Sequence, residues 1–156
     1  MQKISRIVIP VDKSQASQIA MEQATYFAKL LKVDVSVITV DESQQYMVSA
    51  LLQKKVIEER EHLLSDIKAF AEKNGVQTTT KLMSGNPAKE ILKHVNSEDL
   101  IVMASQGKTG FNKFMLGSIS EEVLRHAPCS VMIIKPQEEN QTQSFIEQSQ
   151  TSTTPE

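Results

Sequence analysis

Cysteine is almost missing from this sequence: Cys129 is the only one in 156 residues. A single thiol excludes an intrachain disulfide and any cysteine-rich metal centre, and it suits a reducing compartment. Histidine is sparse too. His62, His94 and His126 show no metal-ligand spacing and join no Cys/His cluster. Neither charge is in excess: the formal net charge is −2, and the last twenty residues hold four Glu with neither Lys nor Arg. Neither that tail nor the remainder is a polyelectrolyte, so composition gives no support to nucleic-acid binding. No run approaches the ~18 apolar residues of a membrane span. The opening MQKISRIVIPVD has too short an apolar stretch for a secretory leader. The expectation is a cytoplasmic protein without membrane insertion.

What is present fits an ordinary globular domain, 40% apolar and 23% charged. Its length allows one domain with a real core. Residues 1–136 carry the patterning of that domain. Residues 137–156 are Gln/Ser/Thr/Glu-rich, with Phe145 and Ile146 as their large apolar groups. So little apolar surface cannot offset ordering entropy, and disorder or a docked segment is expected there.

Strands and helices alternate along the domain. Ile4 to Val11 reads as a strand that is apolar on both faces, as in sheets covered on both sides. A helix follows from about Gln15 to Lys32, then a strand from Val33 to Val40. After a polar connection, Asp41 to Tyr46, a long helix runs from about Val48 to Asn74, with Gly75 as its stop. Val76 to Met83 is the third strand. Asn86 then caps a third helix with Pro87 in its first position. Leu100 to Ala104, Ser118 to about His126, and Ser130 to Lys135 complete the pattern as strand, helix and strand. This is the pattern of an α/β fold: an open, doubly wound, five-stranded parallel sheet with helices on both faces. With strand order 3-2-1-4-5, ligands bind beyond the strand ends between strands one and four. Asp12 and the loop from Ala104 to Gly117 face each other there.

The stretch Leu100 to Ser120 carries the chemistry. A buried strand gives way to a small, glycine-bearing segment with Gly107, Lys108 and Gly110, and then to a helix at Gly117-Ser118. Such an arrangement aims backbone N–H groups and a positive helix end at one place, where an anion fits, most naturally a nucleotide phosphate. Gly107-Lys108-Thr109 looks like the end of a P-loop, but Met103-Ala104-Ser105-Gln106 before it holds no glycine. Paired carboxylates, a Ser-His-Asp order and an activated cysteine are not visible near the loop. Phosphoryl transfer also needs a metal ligand and a group to orient the nucleophile. No catalytic or metal-ligating set is therefore expected, and any hydrolysis should be slow.

These residues resemble the universal stress protein family. That family's nucleotide signature runs Gly, two residues, Gly, nine residues, Gly, then Ser or Thr. Here Ala104, Gly107 and Gly117-Ser118 stand at those positions. The start Ile9-Pro10-Val11-Asp12 and the ending Leu124-Arg125-His126-Ala127-Pro128-Cys129-Ser130-Val131 are also similar, and the likeness spans about Lys3 to Lys135. It implies a doubly wound fold that dimerises, often through the last strand. It implies binding of ATP or another adenine nucleotide (ADP or AMP), with Mg²⁺ as companion. Carried over by position, Asp12 meets the ribose hydroxyls, and Pro10, Val11 and Val40 border the adenine. Met103 and Ala104 lie under the ribose and first phosphate. Gly107, Gly117 and Ser118 hold the phosphates, and Lys108 and Ile119 are further nucleotide-binding candidates beside them. Ala104 departs from the signature's first glycine: a Cβ is tolerable if the strand ends there in β geometry and crowding if φ must be positive.

Each residue also has a plainer reading. Ser118-Ile119-Ser120-Glu121 fits a capping box, with Ser118 accepting from the Glu121 N–H. Asp12 suits a turn or helix cap. Lys13 points to solvent or reaches a phosphate, and Lys108 is either solvated or phosphate-paired. Glu58-Glu59-Arg60-Glu61 reads as a solvated helix face. His94 and His126 lie near helix C-termini, where the dipole favours a cation. Cys129 reads as a small buried apolar group. The leading expectation is an adenine-nucleotide-binding regulatory or stress-response module without efficient turnover. A slow ATPase or phosphotransferase, and a nucleotide-free dimeric interaction protein, are the alternatives. A homodimer through Ser130–Lys135 is expected in each case.

Overall fold

The computed structural model describes residues 3–105 and 116–135. In chain order the elements are β1 (Arg6–Pro10), α1 (Gln15–Leu31), β2 (Asp34–Asp41), a 3₁₀ turn (Ser43–Tyr46), α2 (Ala50–Lys73) and β3 (Thr78–Ser84). They continue with α3 (Pro87–His94), β4 (Asp99–Ala104), α4 (Ser118–His126) and β5 (Ser130–Ile134). All paired strands are parallel, in the order β3-β2-β1-β4-β5. The expected α/β sheet is the observed one.

Strand periodicity sorts the core into two layers. On one face Ile7, Ile9, Val35, Val37, Leu100 and Val102 meet Met21, Ala24 and Ala28 of α1 and Leu64, Ile67 and Ala71 of α2. On the other face Val8, Ile38, Ile101 and Met103 meet Ala88 and Ile91 of α3 and Val123 of α4. Each large aliphatic side chain so covered contributes about 1.5–3 kcal/mol. The central strands β1, β2 and β4 are shielded on both sides, which is why they read as continuous apolar runs. The edges β3 and β5 are only partly covered.

Local signals set most boundaries. The Ser14, Ser49 and Asn86 side chains accept from the N–H groups of Ser17, Leu52 and Lys89, and so cap α1, α2 and α3, with Pro87 in the first turn of α3. Gly75, at φ +80°, ends α2. The strand expected to stop at Val40 runs on to Asp41, whose carboxylate is buried and accepts from the Ser43 N–H (2.9 Å) and Oγ–H (2.8 Å). This local bond folds the following residues into the 3₁₀ turn and delays α2 to Ala50. The plainer reading of Ser118 is overturned. Ser118 is not the cap of α4: Gly117 is, without a side-chain cap bond, and its carbonyl accepts from the Glu121 N–H at 2.9 Å. The helix starts one residue before the capping box requires, which leaves the Ser118 side chain exposed.

Candidate functional site

The register of the sheet opens the site. β1 pairs with β2 all the way to Pro10–Ile38, but it pairs with β4 only from Arg6–Asp99 to Val8–Ile101. Beyond Val8 the two strands part, as parallel strands do where strand order reverses. A hollow of about 630 Å³, open to solvent, fills the gap.

Seven of the residues singled out from sequence line this hollow. Pro10, Val11 and Asp12 form its β1 lip, Val40 its β2 side, and Met103, Ala104 and Ile119 its β4–α4 side. Asp12 is held in place: its N–H donates to Ser17 Oγ (2.9 Å), and its Oδ1 accepts from the Ser14 N–H (2.8 Å). The turn reading of Asp12 is thus correct for one oxygen, while Oδ2 has no partner among the described residues. Ala104 pairs with Ile134 as the last residue of β4. Positive φ among described non-glycine residues is confined to Lys32 and Met47, so the methyl of Ala104 sits on unstrained β backbone. Gly117 and Ser118 are not among the residues lining the hollow; they directly precede Ile119, which is. Gly107 and Lys108 lie outside the described residues, as do Gly110 and the tail 137–156.

Three bonds fix the end of β4, two of them to the start of α4 and one to β5. Gly117 N–H donates to Ser105 O (2.7 Å), Ser105 N–H to Ile134 O (2.9 Å), and the buried Ser120 Oγ–H to Ala104 O (2.9 Å). The first-turn amides of Ser118, Ile119 and Ser120 have no intrahelical acceptors. With the positive helix end they suit an anion.

The hollow also gathers residues that the sequence reading missed: Ser14, Ser17, Ile38, Glu42, Arg60, Pro87, Ile91 and Ser120. Ser14 and Ser17 follow Asp12 closely enough to have been noticed. Arg60 carried the opposite signal, because its charge run reads as solvated. It is half-buried, and its Nη1–H donates to Thr39 Oγ1 at 2.7 Å. Lys13, for which a phosphate was one option, forms an ion pair with Glu59 across the α1–α2 side.

Titratable groups at the other end of the sheet behave differently. Burial alone would raise the Asp99 pKa, but the Arg6 guanidinium and the Asn96 N–H outweigh it and hold the carboxyl below its usual range. Burial, then Arg6 and Lys81, pushes His94 down against the pull of Asp99. The expected imidazolium at this helix end is therefore disfavoured. Burial pushes the Cys129 thiol up, in keeping with a half-buried, packed group. Among the described residues no group of three or more His, Cys, Asp or Glu could hold a metal, and no helix is long and apolar enough to cross a membrane.

Comparison with known proteins gives a consistent answer. The family model described as universal stress protein family matches residues 3–135. A universal stress protein of Methanocaldococcus jannaschii is 36% identical over 138 residues, covering 83% of this chain and 81% of that one. The structure of a universal stress protein from Archaeoglobus fulgidus in complex with dAMP superposes with a TM-score of 0.62 at 21% identity, over 86% of this chain and 100% of the other. A universal stress protein solved in complex with cAMP gives a TM-score of 0.66 at 20% identity, over 85% and 98%. At such identities the structural likeness is one of fold.

Proposed function

The chain belongs to the universal stress protein family, and on that premise we propose that its hollow binds an adenine nucleotide and that occupancy regulates the protein in a stress response. The observation that carries the reading is the parting of β1 and β4 after Val8, with an oriented carboxylate on one lip and the uncapped start of α4 on the other. The solved relatives with dAMP and cAMP supply the ligand class.

The proposed pose follows the strand order. Phosphates lie at the first turn of α4, on Gly117, Ser118 and Ile119, with Gly107 and Lys108 as further contacts. Ser118 serves here with its hydroxyl as well as its amide, because it is not spent as a cap. The ribose lies over β1, where its two hydroxyls donate to Asp12. The base lies toward β2, between Pro10, Val11 and Val40. Met103 and Ala104 floor the ribose and first phosphate. ATP is the form proposed. Its Mg²⁺ travels with the phosphates and keeps most of its waters, so it needs no cluster of protein ligands. Turnover is slow in this reading. Residues 1–136 act as one domain in this reading, in the cytoplasm.

A homodimer through β5 belongs to the same proposal. This strand ends the sheet, and its side chains Val131 to Ile134 are only half covered within one chain. An apolar edge strand of this kind is a template for a second copy. Light scattering at micromolar concentration is expected to give twice the chain mass, and a monomer refutes the dimer.

Nucleotide binding is tested by acid extraction of the purified protein and by calorimetry with ATP and Mg²⁺. Adenine nucleotide in the supernatant, or a dissociation constant below about 1 mM, equivalent to roughly −4 kcal/mol, is the expected result. A Gly117→Val variant should lose it, because a branched side chain intrudes where phosphate must approach the backbone. No nucleotide and no binding would reject the reading in favour of an interaction protein.

A further inference from the structure

α1 and α2 share one face of the sheet, α1 over β1 and β4 and α2 over β2 and β3. Between them, beside the β1–α1 turn, runs a furrow open to solvent. Its apolar floor is Met21 of α1 with Leu63, Ile67 and Phe70 of α2. The three α2 residues stand at i, i+4 and i+7, one stripe about 10 Å long. Met21 and Ile67 also belong to the core, at 4% and 7% exposed, but Phe70 is left 38% exposed. Uncovered aromatic surface at the edge of a concave apolar strip is the usual mark of an interaction site.

Charge decides what fits there. The charged residues lining the furrow are Asp12, Lys13, Glu22 and Asp66. Lys13 is taken up by its ion pair with Glu59, and Asp12 is bonded into its own turn through the Ser14 N–H. Glu22 and Asp66 are exposed, one on each bank, and neither has an ion pair among the described residues. An apolar trough between two free carboxylates calls for apolar groups flanked by cations. Residues 137–156 do not answer to that, because they carry four Glu and neither Lys nor Arg. We propose that the α1–α2 furrow docks a basic amphipathic helix of a partner protein. Apolar residues at i, i+3 or i+4, and i+7 of that helix meet Met21, Leu63, Ile67 and Phe70, and its flanking Lys or Arg meet Glu22 and Asp66. The furrow shares the turn residues Asp12, Ser14 and Ser17 with the hollow, so the partner docks beside that site, yet the inference does not depend on what fills it.

The test titrates the full chain into two fluorescein-labelled synthetic amphipathic helices of one pattern, one of Leu and Lys and one of Leu and Glu, and reads anisotropy. The Leu/Lys helix is expected to bind the wild type and the Leu/Glu helix is not. Glu22→Lys combined with Asp66→Lys should weaken the Leu/Lys helix about tenfold, since two attractions become repulsions. Both positions are exposed, so the fold tolerates the change. Glu58→Lys combined with Glu61→Lys alters net charge equally at exposed α2 positions outside the furrow and should leave binding as it is. Phe70→Gln removes part of the apolar floor at an already exposed position and should weaken the Leu/Lys helix about fivefold. Failure of the wild type to bind the Leu/Lys helix overturns the inference, as does equal binding of the two helices. It is overturned too if the Glu58/Glu61 pair matters as much as the Glu22/Asp66 pair, or if Phe70→Gln has no effect, because the attraction is then one of surface charge alone. A fall in the wild-type mass by light scattering on Glu22→Lys with Asp66→Lys would make the furrow an interface between copies of this chain, and would overturn it as well.

Discussion

The two ends of the sheet treat polar groups in opposite ways. At the N-terminal end Arg6 clasps Asp99 with both Nε–H (2.9 Å) and Nη2–H (2.7 Å), and reaches His94 O at 3.3 Å. Asn96 N–H completes the Asp99 carboxylate at 2.8 Å, and His94 Nε2 meets Ser36 Oγ at 2.9 Å. The buried groups there have partners within the chain. At the C-terminal end Asp12 is satisfied on one oxygen, and α4 begins without a side-chain cap. A polar cluster that closes on itself holds the fold. One that is fixed in place but left incomplete is set up for something that arrives later.

The comparison is broken most severely at its closed end. Asp99→Ala leaves the Arg6 guanidinium and the Asn96 N–H without their acceptor next to buried strands. The expected cost is about 3 kcal/mol of unfolding free energy, at the low end for a broken buried pair because Arg6 is partly exposed. Urea titration measures it, and nucleotide affinity in the surviving folded fraction should be unchanged. At the open end the effects exchange places. Asp12→Ala should weaken the nucleotide about tenfold or more, as loss of charge-assisted hydrogen bonds does. The same change costs stability only about 1 kcal/mol, through the lost turn bond to Ser14. If Asp12→Ala destabilised the fold as much as Asp99→Ala, the distinction between the two ends would collapse.

Legibility divided along the same line. The strand–helix alternation and the Asn86-Pro87 helix start were readable because they rest on local periodicity and caps, and the strand order because crossover rules leave few topologies. Asp12, Val40 and Ala104 were readable as neighbours because a doubly wound sheet brings the ends of β1, β2 and β4 together. Arg60 was not readable. Whether a charge on a long helix points to water or inward depends on how α2 packs on β2, which no local pattern encodes. The capping-box alternative for Ser118 failed for a smaller reason: Ser and Gly both suit a cap, and the cap is Gly117. His94 was misread because its neighbours Arg6 and Lys81 are remote in sequence, and with burial they outweigh the helix dipole.

Ser120 tests the hinge between the halves of the open end. Its buried hydroxyl ties α4 to the Ala104 carbonyl. Ser120→Ala should cost about 1 kcal/mol of stability. It should also weaken the nucleotide by less than Asp12→Ala does, since the first-turn amides stay present but less firmly placed. Equal or greater loss of affinity in Ser120→Ala would show that the hydroxyl contacts the ligand directly.

The smallest effect is a pH dependence at the closed end. His94 has its pKa lowered in the folded chain, first by burial and then by Arg6 and Lys81. The unfolded chain therefore binds more protons than the folded one as pH falls below the ordinary imidazole value of 6.5. Stability contributed by the neutral ring is complete above that pH and drains away on acidification toward the folded pKa. Asp99 adds a second loss of the same sign much lower, below the ordinary carboxylate value of 3.8, because its folded pKa is also depressed. Urea midpoints at pH 7.5 and 5.5 separate the two. The wild type should lose stability between them, and His94→Gln, which keeps a polar partner for Ser36 but cannot titrate, should lose less. Nucleotide affinity should not follow the same pH curve, since His94 lies at the end of the sheet away from the hollow. Identical slopes in the two proteins would mean that the ring is not held neutral by its surroundings. A matching pH curve for binding would mean that the two ends are not separate at all.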